Sequence, residues 1–169
     1  HKKFQTLDGI ERKLDENDLM ICDHKKPLCI AGIIGGEQSA VGDKTKDVFL
    51  ESACFNSISV RKSAKKFGLN TDASFRFERG VDPEIGIYAI KRAAILIQEL
   101  AGGTIGQIYS FQKEKKKKEI ILKFDYIDKL IGQKIEKNKI IKILSSLDMI
   151  VSKNGKDSLK VIIPRYRID

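Results

Sequence analysis

Gly68-Leu69-Asn70-Thr71-Asp72-Ala73-Ser74-Phe75-Arg76-Phe77-Glu78-Arg79-Gly80-Val81-Asp82-Pro83 lies between two segments with helical periodicity and carries more hydroxyls, charges and glycines than a plain connection needs. Loops held by rigid elements carry function more often than the elements themselves. By itself the stretch names no chemistry. Upstream of it, Asn56 is a good N-cap, Ile58, Val60, Ala64 and Phe67 fall near helical spacing, and Gly68 offers a left-handed C-terminal cap. Arg61, Lys62, Lys65 and Lys66 take the polar side of that helix, as solvent cover or toward a phosphate backbone. Downstream, Asp82 and Pro83 read as the N-cap and first-turn proline of a longer helix. Its buried face is Ile85, Ala89, Leu96 and Leu100, and Gly102-Gly103 ends it before a strand from Ile105 to Phe111.

Toward the N-terminus the pattern changes from helical to extended. Asp8-Gly9 marks a tight turn within Phe4 to Leu14. Leu19 to Asp23 and Leu28 to Ile34 are apolar runs of strand length joined by the polar turn His24-Lys25-Lys26-Pro27, which predicts a hairpin. Gly35 and Gly36 stop the second strand, Glu37 to Asp47 forms a surface loop, and Val48 to Leu50 resumes an extended pattern that ends at Glu51.

At the other end, Gln112 to Glu119, with Lys115 to Lys118 in a row, buries nothing and reads as a solvated linker or the exposed start of a strand. Beyond it come a strand (Ile120 to Phe124), a short helix (Tyr126 to Ile131) and a helix (Lys137 to Leu147) with apolar Ile140, Ile141, Leu144 and Leu147. Met149 to Ser152 and Leu159 to Ile163 flank Asn154-Gly155, the strongest short-range hairpin signal. Helices followed by a hairpin resemble a winged helix-turn-helix. The expected organisation is therefore an α+β body over residues 1 to 111, a linker over 112 to 119, and a small winged-helix-like α+β domain over 120 to 169. Pro164 to Asp169 has no evident stop, so the chain is expected to be part of something larger.

Composition bounds the rest. With 169 residues, 41% hydrophobic and 33% charged, the chain describes a soluble globular protein with a sizeable core. It holds no apolar run near the ~20 residues that cross a bilayer and no signal-peptide pattern, so the expected location is cytoplasmic, with no membrane partner. Cys22, Cys29 and Cys54 lack paired spacing and read as reduced, mostly buried thiols. The net charge of +9 is uneven: residues 1 to 111 carry 16 basic and 15 acidic side chains, residues 112 to 169 carry 16 and 8. That asymmetry suits either an anionic partner on the C-terminal side, such as nucleic acid, or a lysine-rich solvated surface.

Conventional catalytic templates are absent: no Gly-x-Ser-x-Gly, no phosphate loop ending in Gly-Lys-Ser or Gly-Lys-Thr, no His-Glu-x-x-His. The Gly32 to Gly36 run lacks dinucleotide-turn order, and its glycines admit close approach of a ligand or, the safer reading, of packed structure. His24 reads as a surface residue. A Cys54 nucleophile would need a base that sequence does not place. Glu51, at a strand end before the small residues Ser52-Ala53-Cys54, faces either solvent or a pocket.

Four blocks in order then carry a resemblance. Thr6-Leu7-Asp8-Gly9 with Arg12, Ala31-Gly32-Ile33-Ile34-Gly35-Gly36-Glu37, Leu50-Glu51-Ser52-Ala53, and Thr71 to Pro83 resemble the beta subunit of bacterial phenylalanyl-tRNA synthetases across essentially the whole chain. The resemblance implies the later part of an editing domain, which hydrolyses tyrosine wrongly attached to tRNA(Phe), followed by most of a winged-helix-like domain. It implies a pocket of Glu51, Thr71, Ala73 and Gly35 with Gly36 and Asp72 as neighbours, Glu51 and Thr71 being the catalytic candidates. Glu51 would accept the tyrosine hydroxyl, Gly35 and Ala73 would leave room for the ring, and Thr71 would orient the ester or a water. Hydrolysis would rest on a positioned water. Arg61, Lys65, Arg76 and Arg79 are candidate tRNA contacts, Arg76 and Arg79 equally candidate structural partners of Glu78 and Asp82. The family's further pocket residues, including a histidine, precede the counterpart of His1, so this stretch alone is expected to edit weakly or not at all. Asp169 matches the first of several magnesium ligands whose companions lie beyond the chain, so no metal is expected here. An alpha subunit, two with two beta subunits, would bind ATP and perform aminoacylation. The alternatives from other classes are a non-catalytic nucleic-acid-binding module and a structural scaffold.

Overall fold

A computed structural model describes residues 2–111 and 117–167 as a mixture of helices and small antiparallel sheets, an α+β protein. The chain divides into two compact units, residues 1–107 and 108–169. Residues 112–116 of the stretch read as a linker, and Asp169, lie outside the described residues.

In the first unit, β1 (Lys3–Gln5) and β2 (Glu11–Lys13) form a hairpin whose turn is held by one buried cation. The Arg12 guanidinium is 8% exposed and forks onto Asp8 through bonds of 2.9 and 2.8 Å, while also reaching the Thr6 hydroxyl. A buried guanidinium is tolerated only when paired in this way. Arg12 first, then Thr6, holds the Asp8 carboxyl far below the ordinary carboxylate range.

A second sheet has the order β3-β4-β5, with β3 Met20–Cys22, β4 Pro27–Ile30 and β5 Ile34–Gly35, all antiparallel. The run from Leu28 to Ile34 is thus two strands and a turn, where its apolar pattern predicts one strand. The reason is Gly32: at φ +67 it takes the left-handed conformation that lets the chain reverse within Ala31 to Ile33. A Cβ there would also meet the rings of Phe55 and Phe77 at 2.9 and 3.1 Å.

Helix α1 (Ser57–Phe67) is capped as its sequence predicts. The Asn56 side chain accepts from the Ile58 and Ser59 amides, and Gly68 closes the other end in the left-handed conformation. Val60 and Ala64 join Phe4, Leu14, Ile30 and Ile33 in the core of this unit. On the next face Ser63 donates to Asp18, and Lys66 bridges Asp15 and Asp18, tying α1 to the loop before β3.

Several expectations are corrected. The stretch 68 to 83 is not all loop, since it contains a short helix, α2 (Asp72–Phe77). Helix α3 (Gly86–Ala101) begins three residues after Pro83; Asp82 instead accepts the Glu84 amide at 2.9 Å, a local turn that delays the helix. Ile85, Ala89, Leu96 and Leu100 are all exposed, Leu100 at 87%, and no residue of α3 is buried, so the periodic face has no covering layer among the described residues. Val48 to Leu50 and Ile105 to Phe111 form no strand, because extended backbone without a hydrogen-bonded neighbour is not a sheet. Cys22 and Cys54 are exposed and only Cys29 is partly buried, because Cys22 ends an outer strand and Cys54 lies in irregular chain.

The second unit contains β6 (Lys118–Lys123), α4 (Phe124–Ile131), α5 (Lys137–Ser146), β7 (Ile150–Lys153) and β8 (Ser158–Ile163). The sheet order β6-β8-β7 places β8 centrally, and Leu159 and Val161 meet Phe124 and Ile140 in a small core. The Asn154-Gly155 turn joins β7 to β8 as its sequence predicts. β6 starts at Lys118, inside the lysine run.

Candidate functional site

The β4–β5 hairpin collects the residues singled out in the sequence, at both of its ends. At its turn, the Thr71 hydroxyl donates to the Ile33 carbonyl at 2.7 Å and accepts from the Ser74 amide at 3.0 Å. Ser74 returns the arrangement: its hydroxyl accepts from the Thr71 amide at 2.9 Å, which completes a capping box at the start of α2. Ile33 and Ser74 are buried at 3% and 1% exposure, so these bonds are shielded from water and hold α2 against the hairpin. Behind them the Phe55 and Phe77 rings pack 5.0 Å apart over Gly32. Thr71 therefore spends its only hydroxyl proton on Ile33; toward an incoming group it has a lone pair to offer, not a donor.

At the other end of the hairpin, Gly35 stands opposite Cys29 across the β4–β5 pair. Burial pushes the Cys29 thiol up, and the Glu51 charge pushes it further. Glu51 itself reaches solvent, yet the surrounding protein withdraws enough water to push its carboxyl above the ordinary 4.5. The segment after it is held from the far side: the Cys54 thiol lies 3.9 Å from the Val81 carbonyl, and a Cβ at Gly86 would stand 3.3 Å from the Ser52 hydroxyl. Gly35 thus pairs with Cys29, while Thr71 fixes the turn of the same hairpin.

The remaining candidates separate. Gly36 is a packing glycine, since a Cβ there would stand 2.6 Å from the Phe4 ring and 2.7 Å from the Leu28 carbonyl. A Cβ at Gly35 would meet only the flexible end of the half-exposed Leu7. Ala73 is partly exposed beside Thr71, and Asp72 is exposed. Arg79 pairs with Glu78 at 2.8 Å, but Arg76 donates to the Asp72 carbonyl and not to Asp82. Arg61 and Lys65 lie exposed on α1, and His24 is exposed in its turn. A shallow groove of about 200 Å³ lined by Lys3, Phe4, Lys26, Pro27, Gly36 and Ser39 involves neither Glu51 nor Thr71. Among the described residues no group of three or more His, Cys, Asp or Glu side chains is arranged to hold a metal, and Asp169 lies outside those residues.

Sequence reading missed Cys29, Ser74 and the Ile33 carbonyl. For Cys29 the signal was the glycine at position 32: a reversal there folds Gly35 back onto Cys29. Ser74 stood in the Thr-x-x-Ser spacing of a reciprocal cap.

Comparison with known proteins matches the architecture domain by domain. Residues 1–102 match the B3/4 domain and residues 120–169 the tRNA synthetase B5 domain, so the chain belongs to the B3/4 domain family and continues into a B5 domain. Along 98% of its length it is 48% identical to the phenylalanine-tRNA ligase beta subunit of Porphyromonas gingivalis and 47% identical to that of Bacteroides fragilis. The beta subunit of Carboxydothermus hydrogenoformans is 43% identical over 99% of the chain. The chain spans about a fifth of the length of these curated relatives.

Proposed function

We propose that the first unit contributes to a proofreading site that hydrolyses tyrosine from mischarged tRNA(Phe), within a phenylalanine-tRNA ligase beta subunit. The observation that carries this reading is the bond from Thr71 to the Ile33 carbonyl, which ties α2 to the turn of the hairpin that carries Gly35.

Tyrosine differs from phenylalanine by one hydroxyl. A Glu51 carboxylate in a partly dewatered position accepts that hydroxyl's hydrogen bond, and a phenylalanine ring leaves the carboxylate unpaired. Gly35 and Ala73 present no bulk where the ring would lie. Thr71 acts chiefly by position: it holds α2 and the hairpin turn together and turns a lone pair toward the attacking water. Water adds to the ester carbonyl, the bond to the ribose oxygen breaks, and the terminal hydroxyl of the tRNA takes up the proton. No strong general base is invoked, so the rate rests on holding water and ester together.

Aminoacylation, with its ATP, falls to an alpha subunit, in an assembly of two alpha and two beta subunits. Magnesium belongs with Asp169 and further carboxylates supplied beyond this chain. Arg61, Lys65, Arg76 and Arg79 are exposed and are our candidates for contact with the tRNA, and we place the work in the cytoplasm.

Deacylation of Tyr-tRNA(Phe) by the full-length subunit with its partner tests the reading. Glu51→Ala should slow it about 10- to 100-fold, the worth of one hydrogen bond to a charged group; equal rates for wild type and variant would sink the assignment. A second reading, nucleic-acid binding by the B5 unit, draws on the excess of 16 basic over 8 acidic residues beyond Phe111. Tight, salt-sensitive binding of duplex DNA by the full-length protein, lost on reversing lysines of α5, would favour it.

A further inference from the structure

The solvent face of α2 carries an aromatic side chain that the core does not use. Phe77 packs inward against Phe55, but Phe75 is 51% exposed. The guanidinium of Arg79 lies over its ring, 3.5 Å from the centroid, and is anchored twice: it donates to the Phe75 carbonyl at 2.8 Å and to Glu78 at 2.8 Å. An exposed arginine normally samples many rotamers, and this one is fixed as a flat cationic plate on an aromatic base. One turn back, Arg76 is steadied by the Asp72 carbonyl at 3.0 Å, with further N–H groups of its fork available to an anion.

Closing the end of α2 rests on backbone bonds, from the Glu78 amide to the Ser74 carbonyl and from the Arg79 amide to the Arg76 carbonyl. It does not require a half-exposed phenylalanine under the guanidinium, where a small polar residue would serve better in water. A plate of this kind suits a flat, electron-rich ring, and a second guanidinium one turn away suits a phosphate. Together they fit a nucleotide of a single strand, recognised by stacking and charge and not by base edges.

We propose that Phe75 and Arg79 form a stacking shelf for a nucleobase of the tRNA acceptor end, with Arg76 meeting the adjoining phosphate. This rests on the proofreading reading, because Thr71 caps α2, and Phe75 lies on the same six-residue helix as Ala73 with Arg79 just past its end. A base stacked there anchors the strand whose terminal ribose bears the tyrosyl ester.

The test uses the full-length protein assembled with its partner and two substitutions on the exposed face, Phe75→Leu and Arg79→Lys, which keep apolar bulk and charge respectively but remove the planes. Two quantities are measured: the Kd of a short single-stranded RNA ending in cytidine-cytidine-adenosine, and the rate of Tyr-tRNA(Phe) deacylation. The shelf predicts a Kd weakened about tenfold in each variant, with the thermal midpoint unchanged. It also predicts that tyrosine methyl ester, which carries no base, is hydrolysed equally by wild type and variants. Unchanged RNA affinity in both variants overturns the shelf even if deacylation is intact. Weakened RNA affinity in a protein whose wild type does not deacylate Tyr-tRNA(Phe) upholds the shelf and overturns proofreading. Equal losses with RNA and with methyl ester assign the pair a structural role and overturn the shelf.

Discussion

Gly32 carries two constraints at one position: a left-handed backbone at φ +67 and ring carbons within 3.2 Å of where a Cβ would stand. Gly32→Ala should therefore destabilise the first unit by about 1–3 kcal/mol, read as a lower urea midpoint with unchanged slope. Thr71→Val removes both the N-cap and the bond to Ile33 and should cost about 1–2 kcal/mol, whereas Thr71→Ser should restore most of it. Two carboxyls give opposite pH signatures. Asp8 is held low by Arg12 and Thr6, so its contribution to stability is full above the unfolded carboxylate value near 4. It is lost as pH falls from there toward the folded value, and acid titration of Asp8→Asn should lack that component. Glu51 is pushed above the ordinary glutamate value by burial, so tyrosine selectivity should climb with pH in a range where an ordinary glutamate has already ionised. These residue roles were only partly legible in the sequence. Asp8-Gly9 announced a turn but not the buried Asp8–Arg12 ion pair, because burial of Arg12 depends on packing that no local pattern encodes.

At the level of elements, caps were the most legible feature and partners the least. Asn56 and Gly68 delimit α1 as their chemistry requires, and Asn56→Ala should lower stability by about 1 kcal/mol in a thermal or urea melt. Asn154-Gly155 fixes its hairpin for the same local reason. The run from Leu28 to Ile34 misled because continuous apolar residues satisfy one long strand as well as two short ones; only the conformation at Gly32 separates them. Helix α3 shows the converse: its periodicity is real, but its apolar face is exposed among the described residues, since periodicity reports that a face can be buried and not what buries it.

For the molecule as a whole, two compact units correspond to two domain families, and the candidate site belongs to the first alone. Its residues come from three stretches, 29–35, 51–54 and 71–79, and the hairpin is what gathers them. The resemblance supplied the names of Glu51, Gly35 and Thr71; the fold adds that Gly35 pairs with Cys29 across the hairpin and that the Thr71 hydroxyl proton is taken by the Ile33 carbonyl at its turn. Deacylation of Tyr-tRNA(Phe) and Phe-tRNA(Phe) side by side, by the full-length subunit with its partner and by its Glu51→Ala variant, tests the Glu51 assignment most directly. Wild type should clear the tyrosyl ester and spare the phenylalanyl ester, and the variant should lose that preference by about 10- to 100-fold. A variant that keeps the full tyrosine preference contradicts the account.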